Sequence, residues 1–231
     1  MTYISEIKGR SGKDHIDSVL KRSGPLIGAS VVPEATLEAW TGVLPDILID
    51  FWRNHGLGAL QGGVMRLCVP DEFDGLLSEV FQADKDFSHK DCHVIGYGPF
   101  GNLIVWSARH WIVRIDLLHG RVSASGLTDP SKKHNENASI VAHLLGHQPD
   151  SLDVVDDDGK KMFKPAVSAL GPLKTGQAFG FFPALAMGGA PQIANLKIVP
   201  ALEHFVVLAQ LQKFHLVDYL GSAPGALRTI G

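Results

Sequence analysis

Apolar residues recur at helical spacing through the first sixty positions, and strand-like runs take over after that. In DHIDSVLKR (residues 14–22), Ile16, Val19 and Leu20 share one helical face. Pro33 opens PEATLEAW with Glu34 in the first turn, as helix starts prefer. Pro45 opens PDILIDFWRNHG, where Ile47, Leu48, Phe51 and Trp52 repeat at helical spacing and Gly56 fits a C-terminal cap. GLGALQGG then reads as a turn-rich loop, VMRLCV (64–69) as a strand, and Pro70-Asp71 as the start of a helix over DEFDGLLSEVF. From Cys92 to about Val122 the pattern is all strand: CHVIGY, NLIVWS, HWIVRIDL and RVSA. The breaks between them are short, and short turns favour antiparallel pairing, so this segment predicts a β-meander.

The composition shifts at Thr128. TDPSKKHNEN reads as a connector and NASIVAHLLGH (137–147) as a helix. DSLDVVDDDGKK is acidic, and MFKPAVSALGPL predicts a short helix. GQAFGFFPALAMGG (176–189) predicts a buried strand and a tight turn. NLKIVPALEHFVVLAQLQKF (195–214) predicts one long apolar helix with Pro200 in its first turn. The expected fold class is α+β: N-terminal helices on a mostly antiparallel meander over 64–122, with a helical C-terminal part adding one strand to the same core. The expected domains are residues 1–128 and 129–231. Trp52 and Trp106 are expected to pack together.

The chain of 231 residues is 45% hydrophobic and 19% charged, enough apolar residue to bury a large core and too much for bulk disorder. Its net charge is −3 with scattered Lys and Arg, which argues against direct nucleic-acid binding. The first residues contain no apolar leader segment, and no run reaches the length of a membrane span, so a cytoplasmic, non-membrane protein is expected. Cys68 and Cys92 sit in strand-like contexts without a C-x-x-C motif, which predicts two reduced, buried thiols.

Candidate chemistry is sparse. Gly96-Tyr97-Gly98-Pro99-Phe100-Gly101 is a literal G-x-G-x-x-G, but the dinucleotide fingerprint needs a helix after the glycine turn. Here NLIVWS follows, which is strand, and Pro99 removes one N–H from any phosphate cradle, so the segment predicts a hairpin turn. His143 and His147 stand at i, i+4, the spacing of a zinc-binding helix, but Leu144 occupies the place of the general base. Asp14-His15, Asp86/His89 and Glu203-His204 pair a carboxylate with a histidine at a density that 11 His and 24 acidic residues produce by chance. No serine lies in a G-x-S-x-G elbow. No catalytic, metal-binding or cofactor-binding residue is therefore assigned, and no cofactor is expected. Two other readings stay open: a hydrolase using His143 or His147, and a small-molecule or regulatory module using the glycine-rich 176–189 turn.

Two blocks carry a resemblance. LPDILIDFWRNHGLGALQGGVMRLCVPDEFDGLL followed by YGPFGNLIVW, and FGFFPALAMGG followed by IVPALEHFVVLAQL, together resemble a GAD-like domain joined to its C-terminal companion domain. The arrangement is similar to that of immunity proteins of type VI secretion DNase effectors. The resemblance implies a cytoplasmic protein that is not an enzyme and that neutralises a cognate nuclease toxin by binding it. The five aspartates Asp150, Asp153, Asp156, Asp157 and Asp158, within nine residues, read either as a solvated loop or as a docking patch for a basic partner, and a positively charged toxin groove would be such a partner.

Overall fold

The computed structural model describes residues 6–7, 10–145, 149–219 and 225–231. A short antiparallel pair, β1 (Glu6–Ile7) and β2 (Arg10–Ser11), leads into α1 (Gly12–Ser23). Edge strand β3 (Ile27–Ser30) precedes α2 (Glu34–Trp40) and α3 (Asp46–His55). Both helices start where expected, with Pro33 and Pro45 as N-caps. β4 (Leu57–Leu60), β5 (Met65–Leu67) and α4 (Asp74–Phe81) follow. The meander comprises β6 (Cys92–Tyr97), β7 (Asn102–Ser107), β8 (Trp111–Asp116) and β9 (Arg121–Ala124). After it come α5 (Ser125–Thr128), α6 (Glu136–Ile140), α7 (Phe163–Leu170), β10 (Gln177–Phe181), β11 (Leu196–Pro200), α8 (Ala201–Gln210), β12 (His215–Asp218) and β13 (Gly225–Thr229).

Among the described residues the main sheet has nine strands in the order β13-β12-β9-β8-β7-β6-β5-β4-β3. Every neighbouring pair is antiparallel except β12 with β9. That pair can be parallel because the chain between them makes a long crossover through the whole C-terminal part. The α+β class with a mostly antiparallel sheet is as the pattern predicts.

Three expectations are corrected. Residues 57–60 are strand, not loop: β4 pairs with β3 and β5. Its glycine is a packing requirement, since a Cβ at Gly58 would stand 3.0 Å from the Ile27 carbonyl oxygen. The 195–214 segment is not one helix. Leu196–Pro200 is strand, paired in register with β10, and Pro200 is the N-cap from which α8 starts. The C-terminal part adds four strands rather than one: the β10–β11 hairpin and, on the main sheet, β12 and β13.

The sheet is packed on both faces. Strand side chains alternate, so Val94, Tyr97, Leu103 and Val105 point to one face. Tyr97 there meets Phe205 of α8 edge-on, ring centroids 5.6 Å apart, and α8 packs on α4. His93 and Trp106 point the other way; His93 meets Trp40 of α2 at 5.0 Å. Trp52 and Trp106 are both buried in this one core, and Trp106 stacks on Trp111. The GYGPFG segment is the β6–β7 hairpin. The Gly98 N–H donates to the Asn102 carbonyl at 2.7 Å, and the Pro99 carbonyl accepts from the Phe179 N–H of β10 at 2.8 Å. Phe100 is fully buried against Phe179 and Phe181, so the turn is an anchor for the second hairpin. Cys68 and Cys92 are buried free thiols. No helix among the described residues is long and apolar enough to cross a membrane.

Candidate functional site

β7, β8 and β9 are central strands, yet one of their faces is polar. The register sets Asn102 opposite Asp116, Ile104 opposite Arg114, Arg114 opposite Ser123 and Asp116 opposite Arg121. Alternation therefore puts Asn102, Arg114, Asp116, Arg121 and Ser123 on one face. That face opens into a cleft of about 690 Å³. Its far walls are the 151–155 segment and Val217 to Tyr219, at the end of β12.

The polar groups in the cleft hold one another in defined states. Asp116 accepts from the Leu118 and His119 N–H groups at 3.1 and 3.2 Å and lies 2.7 Å from His119 Nδ1. Arg114 Nη2 lies 3.3 Å from Nδ1 of His143, on the turn that follows α6. A guanidinium can only donate, so Nδ1 accepts and the neutral ring carries its proton on Nε2. Burial pushes the His143 pKa below the ordinary histidine value, and the adjacent Arg114 charge pushes it further. Burial likewise lowers the Arg114 pKa. Both influences on His143 oppose the proton uptake that a general base requires. The Tyr219 pKa is shifted up by burial and by Asp116, while Arg121 and Arg114 pull it back.

The five aspartates of the acidic stretch are not equivalent. Asp153 lines the cleft and is half-buried; it accepts from the Met162 and Phe163 N–H groups at 3.2 and 2.9 Å, at the start of α7. Burial raises its pKa against those hydrogen bonds. Asp156 closes a tight turn, accepting from the N–H groups of Asp158 and Lys160. Asp158 is exposed and pairs with Lys160 Nζ at 3.0 Å. Asp150 and Asp157 are exposed. The structure thus brings Asp153 to the cleft, and sets Asp150, Asp157 and Asp158 on the surface beside it.

Of the histidine pair, His143 lines the cleft and His147 lies outside the described residues. The glycine-rich 176–189 segment forms β10 and the turn after it, and it does not line this cleft. Arg114, Arg121 and Tyr219 were not singled out from the sequence. The signal for two of them was present: in WIVRID and RVSA, charged and hydroxyl residues alternate with β-branched ones inside a meander, which marks a polar face on a central strand. Tyr219 carries no such signal, because only the crossover brings β12 beside β9.

Comparison with known proteins bears on the same two regions. Residues 14–119 match the GAD-like domain. Residues 141–212 match the family described as T6SS immunity protein Tdi1, C-terminal. No curated protein matches the chain. The crystal structure of Atu4351 from Agrobacterium tumefaciens is similar throughout: TM-score 0.84 and 28% identity, covering 93% of this chain and 97% of that one. The cleft draws on both matched regions, on the segment between them from Arg121 to Lys132, and on Val217–Tyr219 beyond them. Two stretches of the chain are therefore similar to known domain families, residues 14–119 to the GAD-like domain and residues 141–212 to the T6SS immunity protein Tdi1 C-terminal domain.

Proposed function

We propose that this chain is an immunity protein of a type VI secretion system, and that it neutralises a cognate nuclease toxin by binding it. The observation that carries the reading is the match of residues 141–212 to the Tdi1 immunity domain, behind a GAD-like domain in the same chain. The protein acts by occupying a surface of the toxin rather than by catalysis. A groove that binds nucleic acid is positively charged. The exposed carboxylates of Asp150, Asp157 and Asp158 offer such a groove an encounter surface. Asp153 and Asp156 support it by fixing the loop through backbone N–H groups.

The test is co-expression of the full chain with the protein encoded beside it, joint purification, and a DNA-cleavage assay with and without this chain. A stable complex with suppressed cleavage is expected; no complex and undiminished cleavage would overturn the proposal. Replacing Asp150, Asp157 and Asp158 together by Lys should slow association and flatten its salt dependence. Unchanged association kinetics would remove the acidic loop from the interface while leaving the immunity reading standing.

A further inference from the structure

We propose that the cleft over β7, β8 and β9 is a binding site for a small organic anion, a carboxylate or phosphate group on an apolar body. Its volume of about 690 Å³ lies in the range of small-molecule sites. Two guanidiniums converge in it. Arg114 stands opposite Ser123 and Arg121 opposite Asp116, so the two arginines are diagonal neighbours on adjacent strands of one face. Tyr219 lines the same cleft.

Two of the three carboxylates in the lining have other duties. Asp116 is held by His119 and two backbone N–H groups, and Asp153 by the N–H groups that open α7. Asp218 completes the carboxylates of the cleft, on the β12 wall. Arg121 is in no salt bridge among the described residues, whereas Arg114 is already engaged, with His143 among its partners. Arg114 is half-buried with its pKa lowered by burial, so an anion reaching it gains more than one meeting a surface arginine. The rest of the wall suits an uncharged body: Ile112, Leu152, Val154 and Val217 are apolar, and Ser123 and Thr128 supply hydroxyls. His143, also in the cleft lining, accepts from Arg114 Nη2 at 3.3 Å and holds that guanidinium in place. The site does not depend on the immunity reading, and nothing in it requires a toxin.

The test uses the full chain in low-salt buffer at fixed ionic strength. Inorganic phosphate, citrate and adenosine monophosphate are titrated separately, followed by amide NMR shifts and by calorimetry, with sodium chloride as control. The expected result is saturable binding of at least one probe, with shifts concentrated at Ser123, Ser125 and Val155. Phosphate and adenosine monophosphate against citrate tells a phosphate site from a carboxylate site. Arg121→Gln should weaken binding by about ten-fold or more, as loss of a charge-assisted contact does. Arg114→Gln should act in the same way. Circular dichroism of both variants checks that the fold is retained. Lys160→Gln, outside the cleft, should change nothing. Absence of saturable binding for all three probes, shifts no different from those of chloride, or affinity unchanged in Arg121→Gln would each overturn the proposal.

Discussion

Arg228, on the last strand, is predicted to be worth more to stability than its place near the chain end suggests. It reaches back across the sheet to the loop after α4. Nη2 donates to Asp84 Oδ1 at 2.9 Å and to Asp86 Oδ2 at 2.7 Å, and Nη1 bonds the second Asp84 oxygen. The Asp84 side chain is 1% exposed and that of Arg228 26%. Burial would raise the Asp84 pKa. The Arg228 fork, with the N–H groups of Asp86 and Gly231, instead holds it well below the usual carboxylate range. Arg228→Met keeps the apolar stem and removes the fork. Breaking a buried ion pair by deleting one partner costs about 3–5 kcal/mol. Here the arginine is a quarter exposed and Asp84 keeps three backbone donors, from Asp86, Phe87 and Gly231. A cost of about 2–3 kcal/mol follows. For a chain of this size that lowers the melting temperature by roughly 4–12 °C. The assay is thermal unfolding by circular dichroism at pH 7, repeated toward pH 3. A depressed carboxyl pKa stabilises the fold above the unfolded pKa of about 3.9 and loses that contribution as pH falls below it. The gap between wild type and variant should therefore shrink as the solution is acidified from pH 7 toward pH 3. Equal melting temperatures at pH 7, or a gap that does not change with pH, would refute the reasoning.

Other outcomes follow from the same structure. Phe205→Ala, which empties a fully buried ring site against Tyr97, should cost about 3–5 kcal/mol in urea unfolding. Asp153→Ala should cost about 1 kcal/mol by loosening the start of α7, and a loss of toxin affinity without any loss of stability would contradict that capping role. Burial raises the Cys68 pKa well above the ordinary thiol value and pushes that of Cys92 up to about 12, so a thiol-specific disulfide reagent should label neither in the folded chain and both in urea. Rapid labelling of the native protein would show that β6 or the segment just after β5 opens.

Local sequence determined much of this protein. The helix starts at Pro33 and Pro45 and the four strands of the meander depend on neighbours within a dozen residues, so their pattern was readable. The order of apolar and glycine motifs also carried the resemblance to the two domain families. Tertiary structure decided what depends on distant partners. LGAL became a strand because β3 and β5 flank it, and LKIVP did so because β10 offers a matching edge. Strand formation is satisfied by hydrogen bonds between segments far apart in the chain, so such short, glycine- or proline-bearing runs give no local signal. The cleft has the same origin. WIVRID announces its alternation, but only the register of β8 on β9 sets Arg114 diagonal to Arg121. Only the parallel return of β12 brings Tyr219 beside them, and only the fold of 151–155 turns that polar face into a cavity.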